Sequence, residues 1–187
     1  KILQVMLRGK LKKFAAIYED MYDAGKSSIY HLQTLGLKVP DEFKISAGYA
    51  LSRKFNDLIT GSSGFIDDDL IQQATDINFE ASKMDVVMDK TPSNNIFAKK
   101  LLQNINRLVH SFEIQQAEVV LDLFYQIEKL ELQIDIAEAQ NTYFNKIYHR
   151  ISDLLKSDET SASKRNHTRK FILMLLDIGD KLNINTE

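Results

Sequence analysis

The 187-residue chain carries 24 Lys and Arg against 26 Asp and Glu, and this net charge of −2 excludes a global field selecting nucleic acid or an acidic membrane. Hydrophobic residues make up 44% and charged residues 27%, the balance of a folded chain rather than a disordered one. Seven glycines and two prolines are too few for collagen, low-complexity linkers or most turn-rich β architectures, and the lack of Cys excludes disulfide scaffolds, thiolate metal sites and cysteine nucleophiles.

A chain of this length is expected to form one domain burying roughly 70% of its unfolded surface. No apolar run approaches the roughly 18 residues of a membrane span, and nothing resembles a signal peptide. A cytoplasmic, reducing location is therefore expected. The chain begins at Lys1 rather than Met, which reads as a piece of a larger protein.

In chain order, Leu7, Leu11, Phe14, Ile17, Tyr18 and Met21 recur at steps of three and four, which predicts a first helix from Leu3 to about Met21. Ser27 or Ser28 is expected to cap a short second helix ending at Leu35, with Gly36 in the stop position. Lys38-Val39-Pro40 reads as extended, because the residue before Pro avoids helical angles. A third helix follows Pro40 to Gly61, turning Phe43, Ala47, Ala50, Leu51, Phe55 and Leu58 inward. Thr60 to Gly64 reads as a loop, and Asp67 as the cap of a helix to about Phe79. The run from Met84 to Met88 is ambiguous between strand and coil. Thr91-Pro92 is a helix start, with Pro at its preferred first position, and that helix runs to about Phe112. Further helices are predicted over about Glu113 to Leu132, Asp135 to Leu155 and Lys164 to Leu182. The fold class is all-α, an irregular bundle of about seven helices in a single domain. Residues 1–156 form its main body, while 157–187 hold a polar linker and a C-terminal helix packing on the same domain.

Several patterns invite chemistry, each beside a plainer reading. Gly61-Ser62-Ser63-Gly64 before a helix suggests a phosphate cradle, but Asp67, Asp68 and Asp69 follow and already occupy the positive helix end. The same carboxylates lack the spaced oxygen pattern of a calcium loop. His31, His110, His149 and His167 lie far apart, with no zinc-ligand spacing. Glu118 and Asp122 share a helix face, as solvated pairs commonly do, and no serine triad framework is visible. No catalytic residue, metal ligand or cofactor is assigned.

Two groups stand out. The basic cluster Lys164/Arg165/His167/Arg169/Lys170 opens a helix at its positive dipole end, so Arg165, Arg169 and Lys170 are candidates for docking an acidic partner. A second basic group is Arg8/Lys10/Lys12/Lys13. Both lack the aromatic interleaving of single-strand nucleic-acid binders. Gln140, Asn141 and Tyr143 place two amides and an aromatic in an otherwise apolar helix. They serve either as a polar knot to a neighbouring segment or as glycan or domain-interface contacts.

Two stretches carry a family resemblance. One is Leu32 to Phe43, continuing through Ala47-Gly48-Tyr49-Ala50-Leu51-Ser52; the other is Ile134 to Phe144. Together they resemble the helical C-terminal domain attached to glycoside hydrolase family 57 proteins. There an LGLPVP segment precedes an alanine-rich helix, and a W-K-A-Q-N-x-Y segment lies late in the domain. Val39-Pro40 match the first motif, and Ala139, Gln140, Asn141 and Tyr143 match the second. The chain departs at Ala137 and Glu138, where the family pattern has Trp and Lys, and so lacks the obvious sugar-stacking platform. The resemblance spans roughly Leu3 to Ile151. It implies a non-catalytic appendage to an upstream catalytic barrel of the same polypeptide, acting on α-glucan, with the catalytic carboxylates in the barrel. The alternative is a stand-alone scaffold that binds a protein partner through a helix face.

Overall fold

A computed structural model describes residues 2–62, 66–156 and 162–184. The described residues form α1 (Ile2–Thr34), α2 (Asp41–Gly61), α3 (Asp68–Lys83), α4 (Thr91–Ser111), α5 (Ile114–Lys129), α6 (Ala137–Tyr143), α7 (His149–Lys156) and α8 (Ala162–Lys181). A π-helical turn, Phe144–Tyr148, joins α6 to α7 into one run. The fold is all-α, with seven continuous helical segments and no strand among the described residues. By contact density the chain divides into two units, Lys1–Ser93 and Asn94–Glu187.

In the first unit, α1 is one helix of 33 residues where the sequence predicted two. The expected break between Met21 and Ser27 does not occur, and Gly25 within that stretch serves packing. A Cβ built there would lie 2.5 Å from the Phe43 ring, so the missing side chain lets α2 close onto α1. Ser27 caps nothing, and its carbonyl accepts a bond from the His31 ring at 2.7 Å. The core of this unit is Tyr22, Ile29, Val39, Ala47, Ala50, Leu51, Ala81 and Met84. Gly25 meets Phe43 while Tyr18, earlier on α1, packs on Tyr49, later on α2, at 5.1 Å, so the two helices run antiparallel, and Glu19 pairs with Arg53 at 3.1 Å.

Helix ends show where glycine is replaced. At Gly36, with φ of 67°, the Leu37 N–H reaches Leu32 O and the Gly36 N–H reaches Gln33 O, closing a Schellman motif. The same bond pair forms at Asp85, Glu131 and Asn183, whose φ values lie between 53° and 55°. The left-handed conformation costs a non-glycine residue about 1–2 kcal/mol, and the two carbonyls satisfied at each end offset that strain. Phe112 is also left-handed, with φ of 50° at the end of α4.

The Met84–Met88 run is not a strand: Met84 and Asp85 make the turn that ends α3, and Val86 and Val87, without regular secondary structure, lie along α2. Asn56 clasps it there. Its Nδ2 donates to Asp89 O at 2.8 Å and to Ser52 O at 2.7 Å, while its Oδ1 accepts from the Ser93 hydroxyl at 2.6 Å and the Ser93 N–H at 3.2 Å. Thr91 was expected to cap α4, yet its own N–H goes to Asp89 Oδ1 at 2.9 Å, so Asp89 supplies the side-chain acceptor. Asp67 caps α3 as expected, accepting from Leu70 N at 2.9 Å, and α3 outruns its predicted end to reach Lys83.

In the second unit, α5 packs on α8, and α8 on α7. Phe112 lies edge-on to Phe171 at 5.1 Å, and the Arg150 guanidinium covers its ring at 3.4 Å while donating to Val109 O. Ala139, Tyr143, Ile147 and Ile151 are all buried, a strict spacing of four. In an α-helix of 3.6 residues per turn that spacing drifts by roughly 40° at each step. The wider π turn absorbs the drift and keeps all four inward. Sequence reading predicted an uninterrupted helix from Asp135 to Leu155; the π turn is the correction.

Two stability measurements follow. Gly25→Ala should destabilise the protein by about 1–2 kcal/mol in urea unfolding, because the clash with Phe43 outweighs the gain in helix propensity; a stabilised variant would overturn this packing role. Asn56→Ala should cost about 2–3 kcal/mol, since the buried Ser93 hydroxyl loses its acceptor and the 84–90 segment its clasp.

Candidate functional site

The Gln140-Asn141-x-Tyr143 group does not converge on one ligand. Tyr143 is fully buried and its hydroxyl donates to Leu175 O, tying α6 to α8. Burial, then the nearby Asp180 and Tyr148, push its hydroxyl well above the ordinary tyrosine range, so it remains a proton donor. Gln140 Nε2 reaches Asn183 O at 3.4 Å, just past the end of α8. Asn141 is exposed and its carbonyl takes a bond from Asn145 at 2.9 Å. The buried Tyr143 ring offers no free face to a sugar. These contacts hold α6 and the chain after α8 together.

The basic trio on α8 is split. Lys170 pairs with Glu118 of α5 at 2.9 Å. Arg165 and Arg169 instead line a trough of about 450 Å³ between α7 and α8, with Leu154, Leu155, Leu173 and Leu176. Neither arginine has an ion-pair partner among the described residues. The side chains of Arg8 and Lys164 lie outside the described set, as does Ser63-Gly64 of the phosphate-cradle reading.

The first unit holds a polar cluster that sequence reading missed. The Tyr22 hydroxyl donates to Glu80 Oε1 at 2.5 Å, and the Lys26 ammonium pairs with the same oxygen. Beside it, Tyr30, His31, Phe79 and Lys83 help line a cavity of about 380 Å³. Burial raises the Tyr22 hydroxyl far above its usual range, and the Glu80 carboxylate adds to that, so no phenolate forms near neutral pH. Burial alone would raise Glu80 as well. The bonds from Lys26 and Tyr22 outweigh it, and the net shift is downward from 4.5. Tyr22 and Glu80 are 58 positions apart, and no local pattern links them. The arrangement is a charge-assisted lock between α1 and α3: the Tyr22 hydroxyl holds its proton too firmly, and the Glu80 carboxylate takes one up too weakly, for acid–base work at neutral pH.

The four histidines are all exposed, and no group of three or more metal-ligating side chains occurs among the described residues. No described helix is long and apolar enough to cross a membrane. Searches for related proteins return no matching family model, no curated relative and no similar solved structure.

The lock predicts acid sensitivity. The native fold favours the Glu80 carboxylate, so the native state binds fewer protons than the unfolded chain. The stabilisation is present above the unfolded value near 4.5 and is lost as pH falls through the lower native value. Glu80→Gln should therefore lower stability at pH 7 and flatten the fall in stability below about pH 4.5. An unchanged acid limb in urea titrations of both proteins would rule the lock out as its source.

Proposed function

We propose that this chain is a non-catalytic helical domain of an α-glucan-active protein like those of glycoside hydrolase family 57. In this reading it packs on the catalytic barrel of the same polypeptide and shapes or assembles its cleft. The resemblance of Val39-Pro40 and of Ala139-Gln140-Asn141-x-Tyr143 to that family's motifs supplies the identity.

The observation that supports a packing role is the apolar face of α1. From Ala15 through Tyr22, Gly25 and Ile29 this face is buried. The same stripe continues toward the N-terminus through Phe14, Leu11 and Leu7, which are 57%, 57% and 50% exposed. Covering each of these side chains is worth about 1.5–3 kcal/mol, so three together make a strong drive to pack against something. Exposed apolar patches of this kind mark contact surfaces. Catalysis in this reading belongs to the barrel.

The trough between α7 and α8 favours a second reading, a helical module that binds a separate protein. It concerns a different surface, and the two readings can hold together.

The test starts from the coding frame upstream of Lys1. A frame encoding a βα barrel with a pair of catalytic carboxylates is expected. In the whole protein, Leu7→Glu with Leu11→Glu should loosen the barrel contact, read as faster proteolytic release of the helical part. Two results would sink the proposal: an upstream frame without such a barrel, or α-glucan cleavage by Lys1–Glu187 alone that is abolished by mutating its own carboxylates.

A further inference from the structure

We propose that the trough between α7 and α8 is a docking site for an acidic amphipathic helix presented by a partner protein. Along α8, Arg165, Arg169, Ile172, Leu173 and Leu176 follow one another at helical spacing, so one face changes from cationic to apolar over three turns. The last turn of α7 supplies the opposite wall with Leu154 and Leu155. Leu155 is 68% exposed and Leu173 57%, flanking a floor at Ile172 that is nearly closed. The site is thus an open apolar channel with positive charge at one end.

The charge pattern identifies the occupant. Elsewhere on α8 the cations facing a neighbouring helix are paired, Lys170 with Glu118 at 2.9 Å and Lys181 with Glu128 at 2.7 Å. Among the described residues, the two that line the trough are not. They also lie in the N-terminal half of a helix whose first turn holds no acidic residue, where the dipole disfavours positive charge. A carboxylate arriving at this end relieves that repulsion and gains a planar, bidentate guanidinium partner. A solvated arginine pair by itself would signify little; here it ends an apolar channel.

Shape narrows the choice further. An amphipathic helix lays side chains spaced i, i+3/i+4 and i+7 into a groove between two others, and a trough of about 450 Å³ accepts such knobs. A small ligand on the floor would leave Leu155 and Leu173 wet. A flat lipid surface would meet the rims and miss Ile172. A second copy docking groove to groove would set Arg165 and Arg169 against the same residues, which costs affinity. A helix with an apolar stripe and two acidic residues one turn apart at one end satisfies both the channel and the charge.

The probe is a fluorescein-labelled synthetic helix of about 20 residues carrying that stripe and acidic pair, with a permuted peptide of identical composition as control. Anisotropy titration of the whole 187-residue chain should show saturable binding near the micromolar range, weakening as salt is raised. Arg165→Glu with Arg169→Glu should weaken it at least about tenfold, and Leu173→Glu comparably. All three side chains are exposed, and circular dichroism will show that the variants keep their helix content. Lys170→Glu, outside the trough, should leave affinity unchanged. Four outcomes overturn the proposal. The permuted peptide binds equally well, or Lys170→Glu costs as much as the arginine pair. Phosphatidylserine-containing vesicles capture the chain with the same arginine dependence while the peptide does not. Or sedimentation shows a dimer that the arginine reversals dissolve.

Discussion

Helices packed side by side must stop cleanly, and most of these stops require a residue in the left-handed region. Glycine supplies it at Gly36; Asp85, Phe112, Glu131 and Asn183 supply it elsewhere. At three of those four, the following N–H reaches back to close a second hydrogen bond, satisfying carbonyls that would otherwise be left bare. Each reversal aims the next segment. After Asp85 the chain runs along α2 without regular secondary structure, and after Glu131 the Gln133 N–H meets the Asn94 side chain at 3.2 Å. Because the stops carry side chains, they also take part in packing. Asp85 pairs with Lys44 at 2.6 Å, and Phe112 brings its ring against Phe171 and Arg150.

Those stops explain what was legible in the sequence. Where the cue was local, the reading and the structure agree at several points: Gly36 ends α1, Pro40 precedes α2, Asp67 caps α3, and Ala47, Ala50, Leu51 and Phe55 turn inward on α2. Failure came where a residue's role is set by a neighbour distant in sequence. Gly25 looks like a helix break until Phe43 is seen against it. Asn56 looks like a surface amide until the Ser93 hydroxyl is found on its oxygen. The π turn leaves one trace, the spacing of four through Ala139, Tyr143, Ile147 and Ile151, whose accumulating drift a straight α-helix could not bury. The candidate groups were legible only in part. Composition marked Arg165, Arg169 and Lys170 alike, but the sequence could not show that Glu118 of α5 would claim the lysine and leave the arginines.

Buried and exposed polar groups do different work in this protein. Tyr22, Glu80 and Tyr143 have strong, short-range partners, and every shift on them favours the form already engaged: hydroxyl on the tyrosines, carboxylate on Glu80. Groups held in this way stabilise helix contacts. A general acid must release a proton and a general base accept one near the working pH; the raised tyrosine hydroxyls do not do the first, and the lowered Glu80 carboxylate is a weak base. The polarity that the proposed docking site would use lies on the surface, in Arg165 and Arg169, which have no ion-pair partner among the described residues.

Two surfaces then call for contact by different physics. The end of α1 presents leucines and a phenylalanine that continue a core stripe, so coverage there is driven by burial of apolar area and changes little with salt. The α7/α8 trough combines a smaller apolar floor with two guanidinium groups, so binding there is steered by charge and weakens as ions screen it. A permanent contact within one polypeptide suits the first, because effective concentration is high and little selectivity is required. A reversible contact with a separate protein suits the second, where unpaired charge selects an acidic helix over an apolar one of similar shape. In the proposed reading, the chain is fastened through a surface of its first unit and stays open to a partner through a surface of its second.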